Sequence, residues 1–268
     1  MIGLMFRREV RRHRVAFAVW AALLVLGSLF RMAEYPAFAD KYRDAEAALG
    51  EFSPGEIDAF GLGELPLTEV TGYFGGRVYS LLLLLGSIYL IMLAASILGG
   101  EEEDGTAEFL LVKPLTRNAV VTAKLLCVLF YAALLTLVLY GASWLVFAAV
   151  DRGGVDGTDV LLFAAGSLLV TSAFGALGLL LSTVVVSARA AYPIGIGVVL
   201  LSYFLLIVSN ANPDARALRH LSFFSYADAA DIVNDSTIRP AQLLVLLAVT
   251  TVGLALAYRI YNRKDIAV

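Results

Sequence analysis

Residues 99–124 read GGEEEDGTAEFLLVKPLTRNAVVTAK, and this polar segment separates two long apolar runs of the chain. Four consecutive acids (Glu101, Glu102, Glu103 and Asp104) lead into a Gly-Thr turn, and a short run of mixed apolar character follows at 107–112. A loop that only connects two helices needs no such organisation. The segment therefore indicates a surface that another protein binds.

The apolar runs on both sides of this segment belong to a membrane protein. Hydrophobic residues make up 60% of the 268 residues and charged residues 16%, and the mean hydropathy is +0.81. A helix of roughly 20 apolar residues crosses a bilayer. We therefore predict an all-α polytopic fold, a single transmembrane domain over 1–268 with six spans at about 15–32, 77–100, 117–150, 160–187, 191–210 and 240–260.

The distribution of Lys and Arg predicts the orientation of these spans. Most of the 20 basic residues lie on short segments on one side, together with both termini. Because such segments favour the cytoplasm, we expect a multi-pass protein of the plasma membrane with cytoplasmic N- and C-termini. Residues 101–116 then form a cytoplasmic loop and 31–76 an external loop. Residues 211–239 are expected to form external, re-entrant helices before the sixth span.

The first 14 residues are predicted to form an amphipathic helix that lies in the membrane interface. Its polar face carries Arg7, Arg8, Arg11 and Arg12, which suit the anionic headgroups of membrane lipids. Alternatively, these arginines only fix the topology. The run 37–39 (Ala-Phe-Ala) resembles a signal-peptide cleavage site, but Arg31 and Glu34 precede it, so a retained span is the expectation.

Several kinds of chemistry are disfavoured by the sequence. No lysine follows a glycine, so there is no Walker A loop, and the single cysteine excludes a disulfide or a cysteine-based metal site. The predicted spans carry ionisable groups only at their ends, whereas ion-coupled pumps use buried carboxylates. We therefore expect no catalytic, cofactor or metal site, and no nucleic acid as partner.

Two clusters leave alternatives open. Asp228, Asp231 and Asp235 share one face of a predicted helix and could hold a divalent metal, although a solvated polar face explains them more simply. Small residues along the fourth span allow close helix approach, either within the chain or at a dimer seam. They are Gly166, Ser167, Ser172, Gly175, Gly178 and Ser182.

The ordered set of motifs resembles the type-2 ABC transporter permeases. The segment between spans two and three is similar to the family's signature at Glu103, Gly105, Thr106, Glu108, Leu110, Leu111, Pro114, Thr116, Arg117 and Lys124. The tail at 261–265 (YNRKD) and the run at 220–226 (HLSFFSY) also resemble family elements, although a phenylalanine stands where proline is usual.

This resemblance implies a non-catalytic membrane subunit of an ATP-driven transporter, usually an exporter. Two permease subunits, identical or paralogous, pair in the membrane, and two cytosolic ABC ATPase subunits carry the ATP and Mg²⁺. The loop at 101–116 would form the coupling helix that docks on the ATPase. Its expected contact residues are Glu103, Gly105, Thr106, Glu108, Phe109, Leu110, Leu111, Pro114 and Arg117.

Two other classes of function remain open from the sequence alone. One is a polytopic membrane enzyme that uses the three aspartates, which would be active without any ATPase. The other is a membrane anchor that recruits a cytosolic protein without nucleotide-dependent change. The transported substrate is not encoded in any motif that we recognise.

Overall fold

A computed structural model describes residues 2–42, 45–98, 116–150, 155, 157–185 and 187–263. Within these ranges the chain is helical and has no strand. Six helices are long and apolar enough to cross a membrane, which confirms the predicted fold class. Each spanning helix runs in the opposite direction to the one before it along the chain. The first and last helices therefore bring Ile2 and Arg263 to the same end of the bundle. We call it the terminal end and the other the opposite end.

The helices follow one another along the chain with few irregular residues. They are α1 (Ile2–Ala33), α2 (Tyr35–Lys41), α3 (Ala45–Leu49), α4 (Pro54–Phe60), α5 (Val70–Phe74), α6 (Ser80–Ile97), α7 (Arg117–Val150), α8 (Gly157–Val184), α9 (Ala188–Ala211), α10 (Ala229–Asp235) and α11 (Pro240–Arg263). Three 3₁₀ segments complete the described structure at Leu62–Glu64, Pro213–Leu221 and Phe223–Ala227.

A π-helical turn at Gly75–Tyr79 joins α5 to α6, so that Val70–Ile97 forms one continuous span. Such turns insert an extra residue into a helix and often accompany functional sites. Here the turn places Gly75 against Ala229 of α10 and buries Tyr79 beside Gly166 of α8.

The helix α1 differs from the prediction for the N-terminal residues. Residues 2–33 form one unbroken helix, so residues 2–14 are the first turns of the spanning helix and not a separate interface helix. No proline or cluster of glycines lies near residue 14, and nothing in the sequence there ends a helix. The helix α9 likewise begins at Ala188, which leaves Pro193 inside the helix.

The helices α6 and α8 form the centre of the bundle. In its most apolar stretch, the span containing α6 is 67% buried, whereas the corresponding stretch of α11 is 17% buried. The helix α8 packs against α6, α7 and α11, and α1 packs against α7. The peripheral helices α1, α9 and α11 expose large apolar side chains such as Leu26, Phe204 and Val252. These faces suit lipid or another membrane subunit.

The glycines of α8 serve packing within the chain. A Cβ atom at Gly166 would lie 2.8 Å from the Tyr79 hydroxyl, and one at Gly175 would lie 3.1 Å from Val128. At Gly178 the distance to the carbonyl oxygen of Ile91 would be 2.6 Å. The sequence left open whether these glycines pack within the chain or at a dimer seam. For these three, the structure supports packing within the chain.

Gly178→Ala is expected to lower the free energy of unfolding by about 1–3 kcal/mol, because backbone atoms of α6 must move away from the new methyl group. Gly141→Ala is the matched control, since a Cβ there meets nothing within 4 Å. Alanine is the better helix former, so the control variant should be neutral or slightly stabilised. Denaturant titrations in mixed micelles measure both. Equal losses at the two positions would contradict this account of the α6–α8 contact.

The opposite end carries a cap formed by residues 34–42 and 45–69. Arg77, in the π-helical turn, pairs with Glu51 at 2.7 Å, and its guanidinium lies within about 5.5 Å of the ring centres of Phe38, Phe52 and Tyr73. Cation–π contacts of this kind fix a short, broken chain segment without a core of its own. The described part of this cap consists of short helices interrupted at glycine and proline.

Candidate functional site

The sequence places the candidate site at the terminal end, where residues 99–116 join α6 to α7. Most of the predicted contact residues lie outside the described residues. They are Glu103, Gly105, Thr106, Glu108, Phe109, Leu110, Leu111 and Pro114. Their arrangement, including the predicted coupling helix, therefore stays a prediction. The structure does describe both chain segments from which this loop emerges.

Arg117 is the predicted contact residue that the structure describes, and it begins α7. Its guanidinium donates hydrogen bonds to the backbone carbonyl oxygens of Tyr261 and Asn262, both at 3.3 Å. These carbonyls belong to the last turn of α11, where a helix has no partners of its own for them. Arg117 therefore joins the start of α7 to the end of α11.

Two further contacts strengthen the joint between α7 and α11. The side-chain amide of Asn262 donates to the side-chain oxygen of Asn118 at 2.6 Å, and the hydroxyls of Thr122 and Tyr258 lie 2.7 Å apart. The three contacts lie along the first turns of α7. These contacts hold the first turns of α7 against the last turns of α11.

Lys124 lies two turns into α7 and is fully buried. Its ammonium group donates a hydrogen bond to the carbonyl oxygen of Ile97, at the end of α6, and lies 3.9 Å from a carboxylate oxygen of Glu9 on α1. We call Glu9, Ile97 and Lys124 the Lys124 cluster. It joins three helices directly behind the 99–116 loop.

Glu9 is the acidic centre of this cluster and is 1% exposed. Besides Lys124, it lies 3.3 Å from a guanidinium nitrogen of Arg8 and 3.8 Å from an imidazole nitrogen of His13. A buried carboxylate is costly unless cations and hydrogen-bond donors surround it. The surrounding basic groups meet that requirement, and Lys124 also holds α1 against α7.

The contact between α1 and α7 continues above the Lys124 cluster. The hydroxyl of Tyr131 donates to the carbonyl oxygen of Val10 at 2.5 Å, and the rings of Phe17 and Tyr131 pack with centres 5.0 Å apart. Phe6 also meets Phe130 edge to face at 5.7 Å. The first turns of α1 are thus packed on the helix that leaves the loop.

The predicted arginines of α1 lie on its solvent-accessible face. Arg7, Arg8, Arg11 and Arg12 are all exposed, whereas Met5 and Glu9 are buried. The division into a basic face and a packed face agrees with the predicted amphipathic pattern. The packed face contacts α7.

Sequence reasoning missed Glu9 and His13 as parts of the site. One signal was available, because Glu9 is the single acid within the first 14 residues, among five arginines. An acidic side chain on the apolar face of a basic helix indicates that a basic group elsewhere in the protein pairs with it. The identity of that partner, 115 positions away in the chain, is not readable from the sequence.

The aspartates of the alternative enzyme hypothesis are engaged with arginines. Asp228 pairs with Arg219 at 2.5 Å, and Arg239 lies 2.8 Å from Asp231 and 3.8 Å from Asp235. Asp228 also accepts from the backbone N–H of Ala230 at the start of α10. Burial raises the pKa of the Asp228 carboxyl, while that N–H and Arg219 act in the opposite direction.

Each of the three carboxylates therefore lies beside an arginine. Asp228 is the N-cap of α10, and Asp231 and Asp235 lie within this helix. Within the described residues, no group of three or more His, Cys, Asp or Glu side chains could hold a metal ion. The arrangement is that of structural ion pairs.

At the described terminal end, ion pairs and hydrogen bonds join the ends of α1, α6, α7 and α11. Six helices are long and apolar enough to span a membrane, and four of them are joined in this way. These features are those of a multi-pass membrane protein. The family model described as "ABC-2 family transporter protein" matches residues 5–266. The chain belongs to this family, whose members are membrane components of transporters that work with ABC ATPase subunits.

The chain is also similar to a bacterial protein without an assigned function. It is 24% identical over 207 residues to "Uncharacterized protein YhcI" of Bacillus subtilis (strain 168). The match covers 69% of this chain and 66% of that relative, slightly less than two thirds of the relative's length. Its name carries no substrate, so the class of this chain rests on the family match alone.

Proposed function

We propose that this chain is the passive membrane half of an ATP-driven exporter, powered by separate ATPase subunits that dock on residues 101–117. Two copies, or this chain and a paralogue, form the pathway between them. ATP and Mg²⁺ are bound by the ATPase subunits, and the permease contributes no catalytic group. In this proposal, the terminal end faces the cytoplasm of a cell whose plasma membrane the six helices span.

The Lys124 cluster is the observation that carries the proposal. It ties together the two helices from which the 99–116 loop emerges, and it adds α1 to the same joint. Arg117 adds α11. The two helix ends that flank the loop are therefore held together. Force applied to the loop is delivered to four of the six spanning helices.

The chemistry of the loop suits a protein partner. Phe109, Leu110 and Leu111 offer apolar anchors, and the neighbouring acids offer charges that fix the register of docking. The exposed arginines of α1 lie at the same end of the bundle and extend the charged surface. Closure of the ATPase pair on ATP would push this surface, and the joints described above would transmit the movement.

Composition of the purified complex tests the proposal. The tagged chain, extracted from its native membrane in mild detergent, is expected to bring down an ABC ATPase, with two ATPase subunits for every two permease subunits. A Phe109→Ala, Leu110→Ala variant should insert normally and lose the ATPase. Leu126→Ala is the control, because Leu126 is an exposed apolar residue of α7 outside the loop. Isolation of the wild-type chain alone, or with turnover of its own, would contradict the proposal.

A further inference from the structure

A cavity of about 610 Å³ lies at the opposite end of the bundle, remote from the Lys124 cluster. Its size falls within the range of about 300–1,000 Å³ that is usual for small-molecule sites. The walls come from α4 and the turn after it, the π-helical turn, the last turns of α9, and residues 213–230. The cavity is formed within a single chain. We call it the Tyr79 cavity.

The walls of the Tyr79 cavity are fixed to one another by hydrogen bonds. The amide of Asn210 donates to the carbonyl oxygen of Ala59, at 3.4 Å, and the amide of Asn234 donates to that of Glu64, at 2.7 Å. Gly61, which has a φ of 64°, turns the chain between α4 and the segment Leu62–Glu64. The cavity is thus built by tertiary contacts and is not a gap between unattached loops.

Opposite charges line this cavity on separate segments. Asp58 and Glu64 come from α4 and the following turn, and Arg216 comes from the 3₁₀ segment Pro213–Leu221. In the described part of the chain, none of these three side chains makes an ion pair or hydrogen bond with another protein group. Charged groups that face a shared cavity without partners can bind a ligand's charges.

The cavity wall combines apolar and polar side chains, and one lining residue has a hydroxyl without a hydrogen-bond partner within the ranges that the structure describes. Leu83, Leu206 and Phe224 line the cavity, together with the ring of Tyr203. Tyr79 also lines it and is 1% exposed, and its hydroxyl has no hydrogen-bond partner among the described residues. A buried hydroxyl without a partner is costly and is usually explained by a missing ligand or water.

From these features we propose that the Tyr79 cavity binds a small zwitterion with an apolar body. The cationic group lies against Asp58 and Glu64, the anionic group lies against Arg216, and the apolar body packs on the aromatic and leucine side chains. The Tyr79 hydroxyl donates or accepts a hydrogen bond within the site. A short peptide with free termini and a short-chain phosphocholine lipid both have this chemistry. The proposal does not depend on the ATPase partner.

Binding to the purified chain tests the proposal without nucleotide. The chain is placed in nanodiscs of phosphatidylglycerol, which is anionic and offers no competing zwitterion, and titrated calorimetrically with trileucine. Trileucine with free termini should bind. The N-acetyl form and the C-terminal amide should each bind about tenfold more weakly, because each has lost one charge-assisted contact. The doubly blocked peptide should bind weakest.

Variants assign each charge to its side chains. The double variant Asp58→Asn, Glu64→Gln should reduce the affinity for the free peptide to that for the N-acetyl form and should leave the N-acetyl form unaffected. Arg216→Gln should reduce the affinity for the free peptide to that for the C-terminal amide and should leave the amide unaffected. Tyr79→Phe should weaken all four peptides severalfold. Asp214→Asn is the matched control, since Asp214 lies in the same 3₁₀ segment, is exposed and does not line the cavity.

Dihexanoylphosphocholine distinguishes the two sources of a zwitterion. If it binds with the same dependence on Asp58, Glu64 and Arg216 while trileucine does not, the charge recognition stands and a lipid headgroup is the ligand. Equal binding of all four peptides, or variants without effect on a bound zwitterion, would overturn the proposal. So would the absence of binding by both compounds to a chain whose thermal unfolding shows that it is folded.

Discussion

Lys124→Met is expected to lower the free energy of unfolding by about 3–5 kcal/mol, because it leaves the buried carboxylate of Glu9 without its buried cation. The variant also removes the hydrogen bond to the carbonyl oxygen of Ile97. Methionine keeps the length and most of the volume of the lysine side chain. The loss is therefore one of charge and hydrogen bonding rather than of packing. Denaturant titration in mixed micelles gives the free energy.

The double variant Glu9→Leu, Lys124→Met separates the pair from its two halves. Replacing both charges by apolar groups removes the uncompensated carboxylate, so the double variant should be more stable than Lys124→Met alone. Lys41→Met is the matched control, because Lys41 lies at the exposed end of α2 and outside the Lys124 cluster. It should change stability by less than about 1 kcal/mol. Additive losses from Glu9→Leu and Lys124→Met would show that the two side chains do not interact.

The Lys124 cluster also explains why a sequence motif can need a lysine at this place. In the primary structure, Lys124 stands at the end of a polar loop and reads as one more basic residue near the membrane. In the folded chain, Lys124 joins α7 to the end of α6, the two helices that flank the loop. The interaction links positions 9, 97 and 124, and no local pattern brings these positions together.

The spanning helices were predictable because their cause is local. A run of apolar residues long enough to cross the bilayer must be helical to satisfy its own backbone, and six such runs gave six helices. The start of α1 was not predicted, because the change from arginine-rich to apolar sequence at residue 14 suggested a boundary. A change of polarity does not by itself end a helix, and the helix continues through it.

The interactions at the opposite end required the tertiary structure. The pairing of Asp228 with Arg219 joins α10 to a preceding 3₁₀ segment, and Ser236, at a φ of 44°, turns the chain so that Arg239 reaches back to Asp231. The sequence offered three aspartates at helical spacing but not the break in the helix. The Tyr79 cavity is assembled from several segments, and no single segment of the sequence indicates it.

Glu108→Gln, Phe109→Ala is expected to abolish the transmission of ATP binding to the opposite end of the bundle while leaving membrane insertion intact. In our proposal these residues form part of the docking surface, and Phe109 is its central apolar anchor. Loss of such an anchor typically costs at least about 2 kcal/mol of binding energy, which is more than a tenfold loss of affinity. The contacts of Lys124 and Arg117 between helices remain in this variant, but the ATPase no longer docks on the loop.

A cysteine at the opposite end reports this transmission. In a Cys127→Ala background, Ser209→Cys places a near-isosteric thiol in the wall of the Tyr79 cavity, and Asp214→Cys provides an exposed reference position. The complex with its ATPase is reconstituted in proteoliposomes and labelled with a membrane-impermeant maleimide. Labelling is compared in the absence of nucleotide and after trapping with ATP and vanadate. The reference position should react equally in both states.

The rate of Ser209→Cys labelling in that comparison is the most direct test of the central claim, that a separate ATPase drives this chain through the loop between α6 and α7. We expect trapping to change the rate at least severalfold in the otherwise unaltered permease and not at all in the Glu108→Gln, Phe109→Ala variant. A nucleotide-dependent change of the same size in both proteins would show that the driving force enters elsewhere and would contradict the account.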